Sequence, residues 1–247
     1  MRKQRSVRTR RTFAPYALPA FLALGIGLPP APARAHTTAE VEEICPLDGT
    51  KFTTTEDMSG TSFGKRLDLK AVGPTASPWS VPVCPKDHFV LFKKKFSKEE
   101  IADLRSFVAT KPYKDAAADH SSYFLLARIF EHLKKPPGNI GFIYLQASWQ
   151  VEADPVAYRE YAQNSLASYR EAIAAAKEHD EAWQTAQLIS GELERRLGLF
   201  PDATRRFTEL AQQPEFQKGV FKSIVSYQLE LLKQRDSAPH KLPQTDP

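Results

Sequence analysis

Two short segments hold the residue types best suited to chemistry. Cys45-Pro46-Leu47-Asp48-Gly49 and Cys84-Pro85-Lys86-Asp87-His88 are two copies of one pattern, C-P-x-D. In a zinc ribbon the corresponding knuckles read C-x-x-C twice, because four thiolates on two tight turns can meet tetrahedrally around one ion. Here an aspartate stands at each second cysteine position, and three outcomes are open. Cys45 and Cys84 can form a disulfide, with Asp48 and Asp87 serving as turn residues whose carboxylates accept nearby amides. Alternatively, a divalent ion such as zinc can be held by Cys45, Asp48, Cys84 and Asp87, with His88 as a further donor. The third outcome is a pair of free or redox-exchanging thiols, although a dithiol oxidoreductase usually spaces its cysteines two residues apart and these are 39 apart.

The compartment favours the disulfide. Residues 1–35 contain seven Arg or Lys and no acid. They comprise a basic run, an apolar stretch from Phe13 to Leu28, and Ala33-Arg34-Ala35, the three parts of a secretory signal cleaved after Ala35. The apolar stretch is interrupted by Pro15 and Pro19 and is shorter than the roughly 18 to 20 residues of a bilayer span, so no membrane helix is expected after cleavage. Thr9-Arg10-Arg11-Thr12-Phe13 resembles the twin-arginine motif, but an Arg-rich general signal reads the same way. Either route leads to the periplasm or beyond, where two cysteines tend to pair. Cleavage there would also make His36 the amino terminus, whose amine and imidazole together can chelate copper.

Removing those seven cations from the total of 34 leaves 27 basic against 29 acidic residues, which gives no case for a nucleic-acid partner. Several elements are needed to position the knuckles. Residues 36–44 read as a polar lead-in, and residues 45–96 as small hairpins and loops with β-like runs at 51–55, 81–84 and 88–92. From Ser97 the period becomes helical: Ser97 with Glu100 is a capping box, and helices are expected to about Ala109, over 121–134, over 139–151, and from Asp154-Pro155 onward. Gly191, Gly198, Phe200, Ala203, Phe207 and Pro214 resemble the tetratricopeptide signature. A closing amphipathic helix is expected over 215–235 and a disordered tail over 236–247. The expected organisation is therefore a signal (1–35), a two-cysteine ribbon-like module (36–96), a mainly α stack of tetratricopeptide-like hairpins (97–235), and the tail.

The two knuckles, together with Arg66-Leu67-Asp68-Leu69 and Pro78-Trp79-Ser80-Val81-Pro82-Val83, resemble the uncharacterised bacterial family known as domain of unknown function 2225. That family pairs a C-P-x-C-G ribbon with tetratricopeptide-like helices. The resemblance spans roughly residues 45 to 215; it implies a fold and no activity. Cys45 and Cys84 match the family's presumed ligands, whereas Asp48 and Asp87 depart from them.

Arg195, Arg196, Arg205 and Arg206 flank one turn and could grip an acidic partner, or be helix-end charges on a solvated face. No nucleophile elbow, phosphate loop, H-E-x-x-H or acid pair is present to suggest an enzyme. The expected role is non-catalytic, without a cofactor: a scaffold presenting a helical groove to a protein or peptide. The rival is a metal-handling or redox protein acting through Cys45, Asp48, Cys84 and Asp87.

Overall fold

The weak alternation of TTAEVEEI becomes a strand through its partner. In the computed structural model, which describes residues 36–243, β1 (Thr37–Ile44) pairs antiparallel with β2 (Lys51–Ser59), with Val41 opposite Thr54 and Ile44 opposite Lys51. The expected polar lead-in is thus half of a hairpin, and the first C-P-x-D segment is its turn. The signal expected over residues 1–35 lies outside the described residues, as do residues 244–247. The second knuckle is a tighter copy, closed by a single bridge between Val83 and Val90 rather than by two strands.

The rest is helical: α1 (Lys98–Val108), α2 (Lys111–Asp119), α3 (Ser122–His132), α4 (Pro137–Gln150), α5 (Pro155–Ala175), α6 (Glu181–Arg196), α7 (Phe200–Leu210) and α8 (Gly219–Lys233), with a 3-10 turn at Pro214–Phe216 before the last. Local chemistry sets most of the starts. Ser97 and Glu100 exchange both capping-box bonds at α1. Asp154 accepts from the amides of Val156 and Ala157, and Pro155 occupies the first turn of α5. Helix α2 was not anticipated from its sequence, because only Tyr113 of its residues is a large buried apolar side chain, leaving no period to detect.

Consecutive helices pack on one another. Gly141 of α4 meets Ser165 and Tyr169 of α5 so closely that a Cβ there would stand 3.1 Å from the Tyr169 ring. The same device recurs in the next pair, where a Cβ on Gly191 of α6 would lie 2.4 Å from Phe207 of α7, a fully buried ring. Gly198, at φ +78°, turns the chain between those two helices.

Two expected boundaries are absent. Cys45, Leu47, Cys84 and Phe89 share one apolar cluster with Leu104, Val108, Tyr113, Phe124 and Ile129, so the knuckles and the first helices have a common core. Residues 236–243 are not a free tail either. The Leu67 amide donates to the His240 carbonyl (2.9 Å), the Leu242 amide donates to the Lys65 carbonyl (2.9 Å), and Leu242 packs against the α6–α8 core. Prolines and the lack of an apolar period concealed this, since the order comes from partners 173 (240 − 67) and 177 (242 − 65) residues upstream and not from local propensity.

Gly191→Ala should therefore lower stability by about 1 to 3 kcal/mol through overpacking. Phe207→Ala should cost about 3 to 5 kcal/mol through the cavity it leaves. Urea unfolding measures both, and parent-like midpoints would refute the close α6–α7 contact.

Candidate functional site

The two knuckles are superimposable in their bonding. In the first, the Cys45 amide donates to the Thr50 carbonyl (2.8 Å) and the Gly49 amide to the Cys45 carbonyl (2.9 Å). In the second, the Cys84 amide donates to the Phe89 carbonyl (2.8 Å) and the His88 amide to the Cys84 carbonyl (3.1 Å). Gly49 and His88 occupy matching left-handed positions, at φ +76° and +57°. The aspartates act as turn residues: Asp48 accepts from the Thr50 amide (2.9 Å) and Asp87 from the Phe89 amide (3.0 Å). The Thr50 hydroxyl and amide, helped by Lys86, hold the Asp48 carboxyl down at about 2. Cys45 and Cys84 are joined in a disulfide with Cα atoms 5.5 Å apart, inside the range such a bond needs, and both are buried.

This chemistry bears on the zinc alternative. A disulfide sulfur is not a thiolate, so the oxidised protein offers no thiolate donor to an ion. Among the described residues, Asp87 is the one carboxylate that gathers with the two sulfurs, all within 4.8 Å of one another. Asp48 is engaged by Thr50 and Lys86, and His88 is exposed and outside the group. Three donors of this kind would become available together only on reduction. His36, the copper candidate, has its Nε2 2.6 Å from Asp57, which also accepts from the Ser80 amide.

The four arginines are not a common surface. Arg195 is fully buried: it donates to Glu192 (2.7 Å), to Gln228 (2.9 Å), and to the carbonyls of Asp236 (2.6 Å) and Ala238 (3.0 Å). Its expected contact with a partner is corrected accordingly; it secures the C-terminal segment instead. Burial pushes the Glu192 carboxyl upward against the opposing pull of Arg195 and Gln228. Arg196 lies over the Tyr158 ring (4.9 Å) and beside Asp68 (3.5 Å), and Arg206 is spent on Glu194 (2.7 Å). Arg205 alone is exposed, paired with Asp202 on its own helix. Helix periodicity placed these residues at one turn but could not say which pointed inward.

A hollow lies elsewhere, a cleft of about 1230 Å³ where α4 begins, α5 ends and α6 begins. Small residues keep it open: Gly138 on α4, Ala172, Ala175 and Ala176 at the end of α5, and Ala182 and Ala186 on α6. Phe130, Phe142 and Ile143 also line it, together with the buried Tyr169 and Trp183. His179 stacks flat on Trp183, with ring centroids 3.7 Å apart, and Asp180 caps α6 through the Trp183 amide (2.9 Å). The cleft escaped the sequence reading, although alanine at 172, 174, 175 and 176 beside Pro136-Pro137-Gly138 was the available signal.

A family model described as an uncharacterised protein conserved in bacteria, DUF2225, matches residues 43–232, from just before the first knuckle to the end of α8. No curated protein and no solved structure matches the chain.

Replacing Cys45 and Cys84 by serine should remove about 4 kcal/mol of stabilisation on the chain-entropy account of a loop this long. Amide exchange should quicken in residues 45–96 more than in α5–α8; uniform quickening would contradict a local role. Arg195→Ala leaves Glu192 buried without its cation and should cost about 3 to 5 kcal/mol. Glu192→Gln in the same chain should restore part of that loss, as read by thermal melting.

Proposed function

The chain belongs to this uncharacterised bacterial family, and we propose that it is an exported, non-catalytic binding protein whose tetratricopeptide-like helix pairs hold a protein or peptide segment in the cleft between α4, α5 and α6. The observation that carries the reading is the cleft itself: an open, mainly apolar hollow built on rigid helix ends. The Gly191–Phe207 contact, the turn at Gly198 and the buried Ala203 support the repeat character of the helices. Stacked hairpins suit binding because each buries its apolar face on its neighbour, so surface residues can vary without loss of the core.

Export to the periplasm or the exterior is supported by the signal-like pattern of residues 1–35 and by a buried disulfide, a bond that persists in oxidising compartments. Among the described residues no helix is long and apolar enough to cross a membrane.

Ala175, in the last turn of α5, is exposed and lines the cleft, so Ala175→Trp fills the space at little risk to folding. Peptides selected from a displayed random library against the parent protein should bind at least about tenfold more weakly to this variant, a difference of about 1.4 kcal/mol. Phe142→Ala, which removes an exposed wall, should weaken them too. The Cys45→Ser/Cys84→Ser protein should retain binding. Peptides indifferent to Ala175→Trp and Phe142→Ala but lost with the cysteines would transfer the function to the knuckles.

A further inference from the structure

The cleft is electrically one-sided. Its charged lining residues are Lys177, Glu178, Asp180 and Glu181, a net −2, and all belong to the turn between α5 and α6 or the first residue of α6. The other lining residues, Phe130, Phe142 and Ile143 among them, are uncharged. None of the three acids joins an ion pair among the described residues, whereas Glu152, Glu194 and Asp202 each hold at least one arginine. Asp180 and Glu181 complement the amino end of α6, which explains part of their placement. Glu178 has no such role: it follows the carboxyl end of α5, where unsatisfied carbonyls already make the potential negative and no basic residue stands in the last turn.

We infer that the occupant is a cationic peptide segment, with one apolar side chain seated in the cleft near Phe142 and Trp183 and lysine or arginine beside it facing Glu178 and Glu181. This inference rests on the cleft reading proposed above and adds the chemistry of the ligand. The alanines and Gly138 leave room for a large apolar side chain, and apolar burial provides affinity without direction. Direction comes from the acidic turn, whose exposed carboxylates attract a positive charge brought beside the apolar lining. The same turn argues against an anionic lipid surface, whose negative potential would repel it.

The test uses three labelled peptides of about twelve residues, equal in length and sharing one central phenylalanine, with flanks of lysine, glutamine or glutamate. Fluorescence anisotropy with the signal-free protein should rank them lysine, glutamine, glutamate. The lysine-to-glutamate ratio should be at least about tenfold in 0.05 M salt, and should shrink as the screening length falls from ~10 Å at 0.1 M to ~3 Å at 1 M. Glu178→Gln/Glu181→Gln should reduce that ratio severalfold while leaving the glutamine peptide unchanged, and Ala175→Trp should weaken all three. Equal binding of the three peptides, all lost on Ala175→Trp, would overturn the charge inference and leave the cleft reading standing. Binding unaffected by Ala175→Trp, or no binding of any peptide, would overturn both. Preference for the glutamate peptide, or for anionic phosphatidylglycerol vesicles in a sedimentation assay, would overturn the cationic assignment.

Discussion

A carboxylate taken out of water must be met by donors or cations, and Asp68, 2% exposed, is met from three directions. Arg66 from its own loop donates two bonds to it, the Lys70 amide donates a third (3.2 Å), and Arg196 approaches from the end of α6 (3.5 Å). Glu152, just after α4, joins the group through Arg66 (2.5 Å) and Lys70 (2.5 Å). Those two cations outweigh the burial that would raise the Glu152 carboxyl, and hold it below its ordinary value. Leu67 and Leu69, on either side of Asp68, enter two different apolar clusters, one with α6–α8 and one with α4–α6. One four-residue run therefore joins the N-terminal loops to the helices from α4 to α8 by charge and by packing at once. Neither half of that junction is complete without the other: the buried carboxylate would lose the cation that the helices supply without Arg196, and the helix ends would lose their apolar cover without the leucines.

How much of this is legible in a bare sequence depends on whether the cause is local. The capping box at Ser97, the Asp154-Pro155 start, and the Gly191, Gly198 and Phe207 pattern are local devices, and each could be read. The knuckle turns were legible for the same reason, since an aspartate two residues before an amide has one common use. Strand β1 was not, because glutamates fill the solvent side of its alternation and its identity depends on β2. Arg195 was misjudged because composition suggests a solvated guanidinium. Its actual partners, Gln228 and the carbonyls of Asp236 and Ala238, lie more than thirty residues away.

The same contrast separates the two candidate sites. The knuckles show the residue types of a metal site, yet their chemistry is closed: the sulfurs are bonded to each other and the carboxylates are occupied by turn amides. The cleft carries no motif, and is defined by what is missing, a row of side chains no larger than a methyl group. Motif reading finds the first kind of site and passes over the second, because an alanine in a helix usually signifies good propensity and nothing more. Only the convergence of three helix ends turns those alanines into a hollow.

The bridge between Leu242 and Lys65 also ties the molecule to the order of its synthesis. Residues 65–67 leave the ribosome long before residues 240–242, so the loop that carries Asp68 waits for nearly the entire chain before its last neighbours arrive. Helix pairs such as α4–α5 can form as they emerge, whereas closure of the N-terminal half is withheld until residues 240–242 have emerged. A nascent or C-terminally truncated chain thus keeps one edge open. Completion of the fold therefore depends on residues 240–242 having been made, whatever the helices before them have already formed.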